Sequence, residues 1–280
     1  MKKILFVFAA LILVGVVGCP SRQAAKTVTC KGSDTMVILV QRWAENYMKE
    51  KPGDIVQVTG GGSGTGIAAL INGGTDICQA SRPMSDKERG QVKEKFGKDA
   101  KEIPVALDGI AIYVHEQNPL NEISLPQLKD IYTGKIKNWK ELGGADAQIV
   151  PYSRENNSGT YMYFKEHVLA GVDFEVGVQT LPGTAAVVNA VSKDLRSMGY
   201  GGIAYAKGIK ALKVKKDAMA AAITPSMETV TQGTYPISRK LYFYTVGDPS
   251  GMVKEFIDWT LGDHGQKICE DVGYYPLPKK

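Results

Sequence analysis

The sequence predicts an α/β fold built on parallel sheets, and three observations lead to this prediction. Short β-branched stretches such as "TVTC" (residues 27–30) and "DIVQVTG" (54–60) are typical of buried strands. Each is followed by a turn of small polar residues and then by apolar residues at helical spacing. Strands that alternate with helices in this way favour a parallel sheet with helices on both faces.

The first two strand–turn–helix units lie near the amino end. After "KGSDT", apolar residues recur at helical spacing from Met36 to Tyr47 and predict an amphipathic helix of about four turns. In the second unit the strand 54–60 leads into "GGGSGTG". We expect the next helix to begin with "IAALI", residues 67–71.

The third unit starts with the strand "TDICQA" (75–80) and continues into "SRPMSD". Ser85 and Glu88, three places apart, fit a capping box for the next helix. The fourth unit runs from "AQIVPY" (147–152) through "SRENNSGT" to a helix in "YMYFKEHVL" (161–169).

The four turns share a composition that suits an oxyanion. In sheets of this class, ligands bind at the carboxyl ends of strands, where helix N-termini offer N–H groups and a partial positive charge. Arg82 and Arg154 add paired N–H donors. The turns also supply hydroxyl donors from Ser33, Thr35, Ser63, Ser81, Ser158 and Thr160, and close backbone approach at Gly32, Gly64 and Gly159. One such turn usually only caps a helix, but four together predict a shared site for a tetrahedral anion.

Common nucleotide-binding and hydrolase motifs do not match. A P-loop needs lysine after its last glycine, whereas Gly66 is followed by Ile67. The GxGxxG pattern fails because Thr65 or Ile67 stands where the last glycine belongs. The serine of "NNSGT" lacks the flanking glycine of a nucleophile elbow. The glycine-rich stretch is therefore interpreted as an anion cradle.

Composition excludes several other classes. The formal net charge of +5 is modest and there is no dense run of lysine or arginine, so we expect no nucleic-acid partner. The three histidines are scattered and no CxxC pair occurs, so we expect no metal and no cofactor.

The amino end predicts export. Lys2 and Lys3 precede an apolar run over residues 4–18, which is typical of a signal peptide ending before Cys19, although an ordinary N-terminal helix is the alternative. "VVGC" resembles a lipobox, so we expect a lipid on Cys19, a linker over residues 19–26, and membrane contact through that lipid alone. The mature protein would lie in the periplasm or on the cell surface. Cys30, Cys78 and Cys269 remain, an odd number, and their pairing stays open.

Five segments carry a resemblance to a known family. They are "KGSDT", "GGGSGTG", "QASRPMSD", "LPQLKDIYTGKIKNWKELGG" and "SRENNSGTY". From about Thr27 to its end, the chain resembles the substrate-binding proteins of bacterial phosphate ABC transporters. "SRENNSGTY" is the most specific segment, because arginine followed four places on by Ser-Gly-Thr is that family's phosphate clamp. Trp139 in the fourth segment is interpreted as a core residue.

The resemblance implies a two-lobed periplasmic-binding-protein type II fold. Each lobe is expected to be a mainly parallel sheet flanked by helices, with the ligand in the cleft between the lobes. We expect the chain to cross between lobes near residues 108–111 and again near 235–245. Lobe 1 would hold residues 27–109 and 237–280, and lobe 2 would hold residues 110–236.

The resemblance also implies which residues bind phosphate. They are Thr35 with the N–H of Met36, then Ser63, Ser81, Arg82, Arg154, Ser158, Gly159 and Thr160; Ser33 is added from its position. Arg82 stands where some relatives carry an aspartate that accepts the proton of the phosphate. Asp34 is the nearest substitute, with Asp76, Asp108 and Glu155 as further candidates, although Asp34 could equally be a helix N-cap or an acid in the first helical turn.

The function implied is capture of inorganic phosphate by a monomer and its delivery to the permease subunits of an ABC transporter, without catalysis. A receptor for sulfate, molybdate or arsenate is the alternative within the same class. A secreted phosphatase or serine hydrolase acting through Ser158 or Ser63 lacks a suitable base. A purely structural surface lipoprotein leaves both arginines without a role.

Overall fold

The computed structural model describes residues 26–278, so the predicted signal peptide and Cys19 lie outside the described residues. The strands are β1 (Lys26–Gly32), β2 (Asp54–Thr59), β3 (Ile77–Ala80), β4 (Ala100–Val114), β5 (Glu122–Ser124), β6 (Val150–Arg154), β7 (Gln179–Leu181), β8 (Ser197–Gly202), β9 (Lys210–Lys215) and β10 (Ser238–Val246). The α-helices are α1 (Val37–Glu50), α2 (Ser63–Asn72), α3 (Asp86–Phe96), α4 (Leu125–Tyr132), α5 (Gly159–His167), α6 (Gly183–Val191), α7 (Met227–Thr231), α8 (Gly251–Leu261) and α9 (Asp263–Val272). Short 3₁₀ helices cover Trp139–Leu142 and Ile203–Tyr205.

The strands pair in the order β2-β1-β3-β10-β4-β8-β6-β7, with β9 beside β4 and β5 beside β9. The outer strands β2-β1-β3 and β8-β6-β7 are parallel, as the alternation of strands and helices predicts. In the centre, β10 is antiparallel to both β3 and β4, and β4 is antiparallel to β8 and β9. The long central strands therefore make the sheet mixed rather than uniformly parallel.

Strand β4 joins two hydrophobic cores. Its first part, Ala100–Gly109, pairs with β10, and from Ile110 onward it pairs with β8 and β9. One core surrounds Trp43 and Phe243, and the other surrounds Phe164. Trp139 is buried in the second core, which confirms its interpretation as a core residue.

Helix α2 begins at Ser63, not at Ile67 as the sequence analysis expected. The second half of "GGGSGTG" is therefore the first helical turn, and only Gly60–Gly62 form the turn before it. Gly62 has φ of +89°, which favours glycine. Gly66 packs so tightly on β1 that a Cβ would lie 2.5 Å from Gly32 Cα. Glycine thus permits a helix-to-strand contact that propensity alone does not predict.

One further local prediction is confirmed, and the state of the cysteines, which the sequence left open, is now described. Ser85 and Glu88 form the expected capping box at the start of α3. Cys30, Cys78 and Cys269 are buried free thiols. Within residues 26–278, no helix is both long and apolar enough to span a membrane.

Candidate anion site

Three buried serines connect the ends of β1 and β3 with the start of α2. Ser33 Oγ donates to Ser81 Oγ at 2.9 Å, and the Ser81 N–H donates to Ser63 Oγ at 3.0 Å. Ser33 itself is held by its N–H, which donates to the carbonyl of Gln79 at 2.8 Å. Each of the three serines comes from a different strand–turn–helix unit, as predicted.

The start of α5 completes this group. Thr35 Oγ1 and Thr160 Oγ1 are 2.8 Å apart, and both side chains are buried. Gly159 faces the serines, because a Cβ placed there would lie 2.7 Å from Ser81 Oγ and closer still to Ser63 Oγ. We call Ser33, Thr35, Ser63, Ser81 and Thr160 the hydroxyl cluster. Ser158 has a different position: it caps α5 by accepting from the N–H groups of Thr160 and Tyr161.

Arg154 supplies a buried positive charge at the end of β6. Only 1% of its side chain is exposed, and burial lowers its pKa, against the opposing effect of Asp34. Its Nη1 donates to Thr184 Oγ1 at 2.7 Å and its Nη2 donates to Asp34 Oδ2 at 2.9 Å. Its buried Nε has no hydrogen-bond partner among the described residues.

Asp34 is held on three sides. Besides Arg154, it accepts from the Gly61 N–H through Oδ1 at 2.7 Å, and its backbone carbonyl accepts from the Tyr205 hydroxyl at 2.7 Å. The N-cap position of α1 is Met36, and no side chain within residues 26–278 caps that helix. Asp34 is therefore an ion-pair partner of Arg154, and it is neither the N-cap nor an acid in the first turn of α1, its two alternative roles.

Two predicted ligands are engaged elsewhere. The Arg82 guanidinium donates to both carboxylate oxygens of Glu88, at 2.8 and 2.7 Å, and to the carbonyl of Pro83. The Met36 N–H donates to the carbonyl of Ser33 at 3.0 Å. For both groups, phosphate contact stays a prediction that would require these local bonds to change. The structure brings the other predicted residues into one connected group: Ser33, Asp34, Thr35, Ser63, Ser81, Arg154, Ser158, Gly159 and Thr160.

The further carboxylate candidates differ in their surroundings. Asp76 accepts from the N–H and hydroxyl of Thr29, in the middle of β1 and away from the turn that carries Ser33. Asp108 is fully buried, and its Oδ2 accepts from Arg239 Nε and Nη2 at 3.1 and 2.8 Å.

Arg239 is a second buried cation that the sequence analysis did not identify. Its Nη2 donates to Thr160 Oγ1 at 3.0 Å and its Nη1 to the carbonyl of Ser81 at 2.9 Å. It thereby ties β10 to the hydroxyl cluster. The available signal was a lone arginine within the apolar and aromatic strand "ISRKLYFYT".

Thr184, at the start of α6, was also missed. The stretch "QTLPGTAAVV" is a further strand–turn–helix unit of the same design, now seen as β7 followed by α6. Helices α1, α2 and α6 all begin without a side-chain cap. Their first N–H groups are consequently not satisfied by capping side chains, although those of Met36 and Gly64 donate to the backbone carbonyls of Ser33 and Asn157. The remaining N–H groups of the first turns suit an anion.

The comparison with protein families agrees with this geometry. Residues 19–264 match the model of the PBP superfamily domain. The chain thus has the two-lobed fold of periplasmic binding proteins.

Similarity to individual proteins is more specific. The chain is 34% identical over 266 residues to the phosphate-binding protein PstS of Pseudomonas aeruginosa, covering 89% of this chain and 82% of that protein. Against PstS of Bacillus subtilis it is 34% identical over 259 residues, covering 91% and 82%. A solved structure of a putative phosphate ABC transporter substrate-binding protein with bound phosphate from Clostridium perfringens superimposes with a TM-score of 0.82 at 32% identity, covering 90% of this chain and 100% of that one. The chain belongs to the family of these phosphate-binding proteins.

Proposed function

We propose that the protein binds inorganic phosphate outside the cytoplasmic membrane and delivers it to the permease subunits of an ABC transporter. The observation that carries the proposal is the buried Arg154, which donates to the Thr184 hydroxyl at the start of α6 and to Asp34. Asp34 lies between Ser33 and Thr35, two members of the hydroxyl cluster. The relatives named above are phosphate-binding proteins, and the structure from Clostridium perfringens contains phosphate. Binding of this kind breaks no bond and needs no catalytic base.

Affinity would come from charge-assisted hydrogen bonds in a dry site. Hydroxyl groups suit this purpose because each can bond to a neighbouring hydroxyl or turn its proton toward an anion. The residues that we assign to phosphate are the hydroxyl cluster together with Arg154, Ser158 and Gly159. Thr184 supports Arg154, and Arg239 is a second buried cation bonded to the cluster. Met36 and Arg82 are contacts predicted from the sequence alone, since their donors are engaged by Ser33 and Glu88.

Phosphate differs from sulfate by the proton that it carries near neutral pH, so a carboxylate in the site favours phosphate. Asp34 is the candidate acceptor. It forms an ion pair with the Arg154 guanidinium, and 20% of its side chain is exposed, so a ligand oxygen can approach it.

Release would require the two lobes to separate. We assign residues 27–109 and 237–280 to one lobe and residues 110–236 to the other. Strands β4 and β10 would serve as the hinge. The change of pairing partner at Ile110 supports this division. A monomer, tethered by a lipid on Cys19 in the periplasm or at the cell surface, completes the proposal.

The decisive experiment is calorimetric titration of the anion-stripped protein with phosphate and with sulfate. Arg154→Ala should weaken phosphate binding at least roughly a hundredfold, about 3 kcal/mol, because it removes a buried charge–charge contact. Arg42→Ala, which changes an exposed arginine on α1, is the matched control and should bind normally. Unchanged affinity in a folded Arg154→Ala protein would refute the site. A wild-type protein that binds sulfate in preference to phosphate would refute the function.

A further inference from the structure

Asn157, in the turn before α5, contacts the glycine-rich turn and the start of α2. Its Nδ2 donates to the Gly61 carbonyl at 3.0 Å and to Thr65 Oγ1 at 3.1 Å. The backbone carbonyl of Asn157 accepts from the Gly64 N–H at 2.9 Å. These bonds join segments that are about 92 to 96 residues apart in sequence.

The close contact with Asn157 requires residues without a side chain at Gly62 and Gly64. A Cβ at Gly62 would lie 2.8 Å from the backbone oxygen of Asn157 and 3.1 Å from the Cγ of its side chain. A Cβ at Gly64 would lie 3.2 Å from the same backbone oxygen. Any larger residue at Gly62 would therefore push the two turns apart. This contact explains glycines that anion binding alone does not require.

The bonds of Asn157 use none of the hydroxyls or guanidinium groups that we assign to phosphate. They can form with or without an anion in the site. They exist only when the turn before α5 lies against the start of α2, and so they stabilise that arrangement specifically.

We propose that Asn157 is a positioning residue that clasps the glycine-rich turn and keeps the site assembled before phosphate arrives. A protein whose binding-competent form is less populated binds its ligand more weakly, in proportion to the population lost. Loss of the two side-chain hydrogen bonds should shift that population about tenfold, given the usual net worth of such bonds. The effect on affinity rests on the proposed function, whereas the effect on the assembled form does not.

The test uses four variants of the mature protein. Asn157→Ala removes the donor, Thr65→Val removes one acceptor, and the double variant closes a thermodynamic cycle. Asn156→Ala is the matched control, because Asn156 is the adjacent asparagine and is exposed. For each variant, small-angle X-ray scattering of anion-stripped protein reports how compact it is, and stopped-flow measurements report phosphate release.

We expect Asn157→Ala to be less compact than wild type without anion, to release phosphate faster, and to have a Kd about tenfold higher. Saturating phosphate should restore its compactness. Thr65→Val should share part of the effect, and the double variant should show less than the sum of the two. If the compactness and the Kd of Asn157→Ala match those of Asn156→Ala, the proposed positioning role of Asn157 is refuted. If the wild-type protein fails to bind phosphate, the function fails, but the scattering comparison still decides whether the clasp exists.

Discussion

The Asp34 carboxylate and the Arg154 guanidinium form an ion pair of 2.9 Å that joins the turn before α1 to the end of β6. Arg154 is almost wholly buried, and a buried charge without a counter-charge is strongly destabilising. Asp34 therefore neutralises Arg154 within the protein itself. An anion that reaches Arg154 must either displace this carboxylate or share the guanidinium with it.

This relationship leads to a prediction for Asp34→Asn. Sulfate should bind more tightly to the variant, because a repelling carboxylate and a competitor for Arg154 are both removed. Phosphate gains from the second effect but loses its proton acceptor. We expect the ratio of phosphate to sulfate affinity to fall about tenfold or more, as measured by parallel calorimetric titrations.

Glu116→Gln is the control, since it neutralises an exposed carboxylate after β4, in a segment that contributes no residue to the site. A ratio that stays at the wild-type value in Asp34→Asn would exclude Asp34 as the acceptor. Asp108 would then be the next candidate, because its Oδ1 is buried without a hydrogen-bond partner among the described residues.

Arg82→Ala distinguishes the two predicted arginines. Since the Arg82 guanidinium is bound to Glu88, we expect its removal to change the phosphate Kd less than about threefold, while the free energy of unfolding falls by about 1 kcal/mol. Calorimetry and urea denaturation measure the two effects. Lys87→Ala is the control, because Lys87 is exposed on α3 next to Glu88. A loss of affinity comparable to that in Arg154→Ala would mean that Arg82 leaves Glu88 to bind the anion, as the sequence analysis expected.

The sequence predicted most of the site because its residues occur in short, recognisable turns. Ser33, Ser63, Ser81 and Thr160 each lie in the turn after a strand or in the first turn of the helix that follows it. The rule for parallel sheets therefore brings them together without knowledge of the tertiary structure. Arg239 could not be found in this way, because it lies inside an antiparallel strand that the chain adds from its far end.

Pairwise contacts between turns were also beyond the sequence. Nothing in "SRPMSD" shows that Glu88 serves both the capping box and Arg82. Likewise, the partnership of Asp34 with Arg154 spans 120 residues and depends on how the two halves of the sheet face each other. In the glycine-rich stretch, the predicted turn covers only Gly60–Gly62, because α2 already begins at Ser63. The close contact of Gly66 with β1 was not visible in the sequence.

Glu88→Gln should reveal a pH-dependent contribution to stability. Burial acts to raise the pKa of Glu88, but hydrogen bonds from Arg82 and from the Ser85 N–H outweigh it and hold the pKa below its ordinary value of 4.5. The folded protein therefore favours the carboxylate. The stability that it contributes is present above pH 4.5 and is lost as the pH falls through the lowered pKa.

We expect the free energy of unfolding of Glu88→Gln to lie about 1 kcal/mol below that of wild type at neutral pH, with the difference shrinking in acid below pH 4.5. Urea denaturation over a pH series measures it. Glu94→Gln, at an exposed position of α3, should show no such pH dependence. A difference that persists unchanged at acid pH would refute the linkage.

Gly159→Ala tests whether close approach between α5 and the serines is required for binding. The added methyl group would lie 2.7 Å from Ser81 Oγ and even closer to Ser63 Oγ, both of which are buried. Alanine is otherwise tolerated at the first position of a helix, so the two halves of the protein should each fold normally. We expect the contact between them to be lost and the phosphate Kd to rise at least roughly a hundredfold, about 3 kcal/mol.

Gly90→Ala is the matched control, because a Cβ at that exposed position of α3 would meet nothing within 4 Å. It should leave binding unchanged and stabilise the helix by roughly 1 kcal/mol. Adding Ser63→Ala to Gly159→Ala removes the tightest of the clashes but leaves the one with Ser81 Oγ, so the double variant should regain part of its compactness in scattering experiments. It should not regain affinity, since Ser63 Oγ is itself a proposed ligand. If Gly159→Ala alone binds phosphate as wild type does, the start of α5 does not contact the anion. The assignment of Gly159 and Thr160 to the site is then refuted.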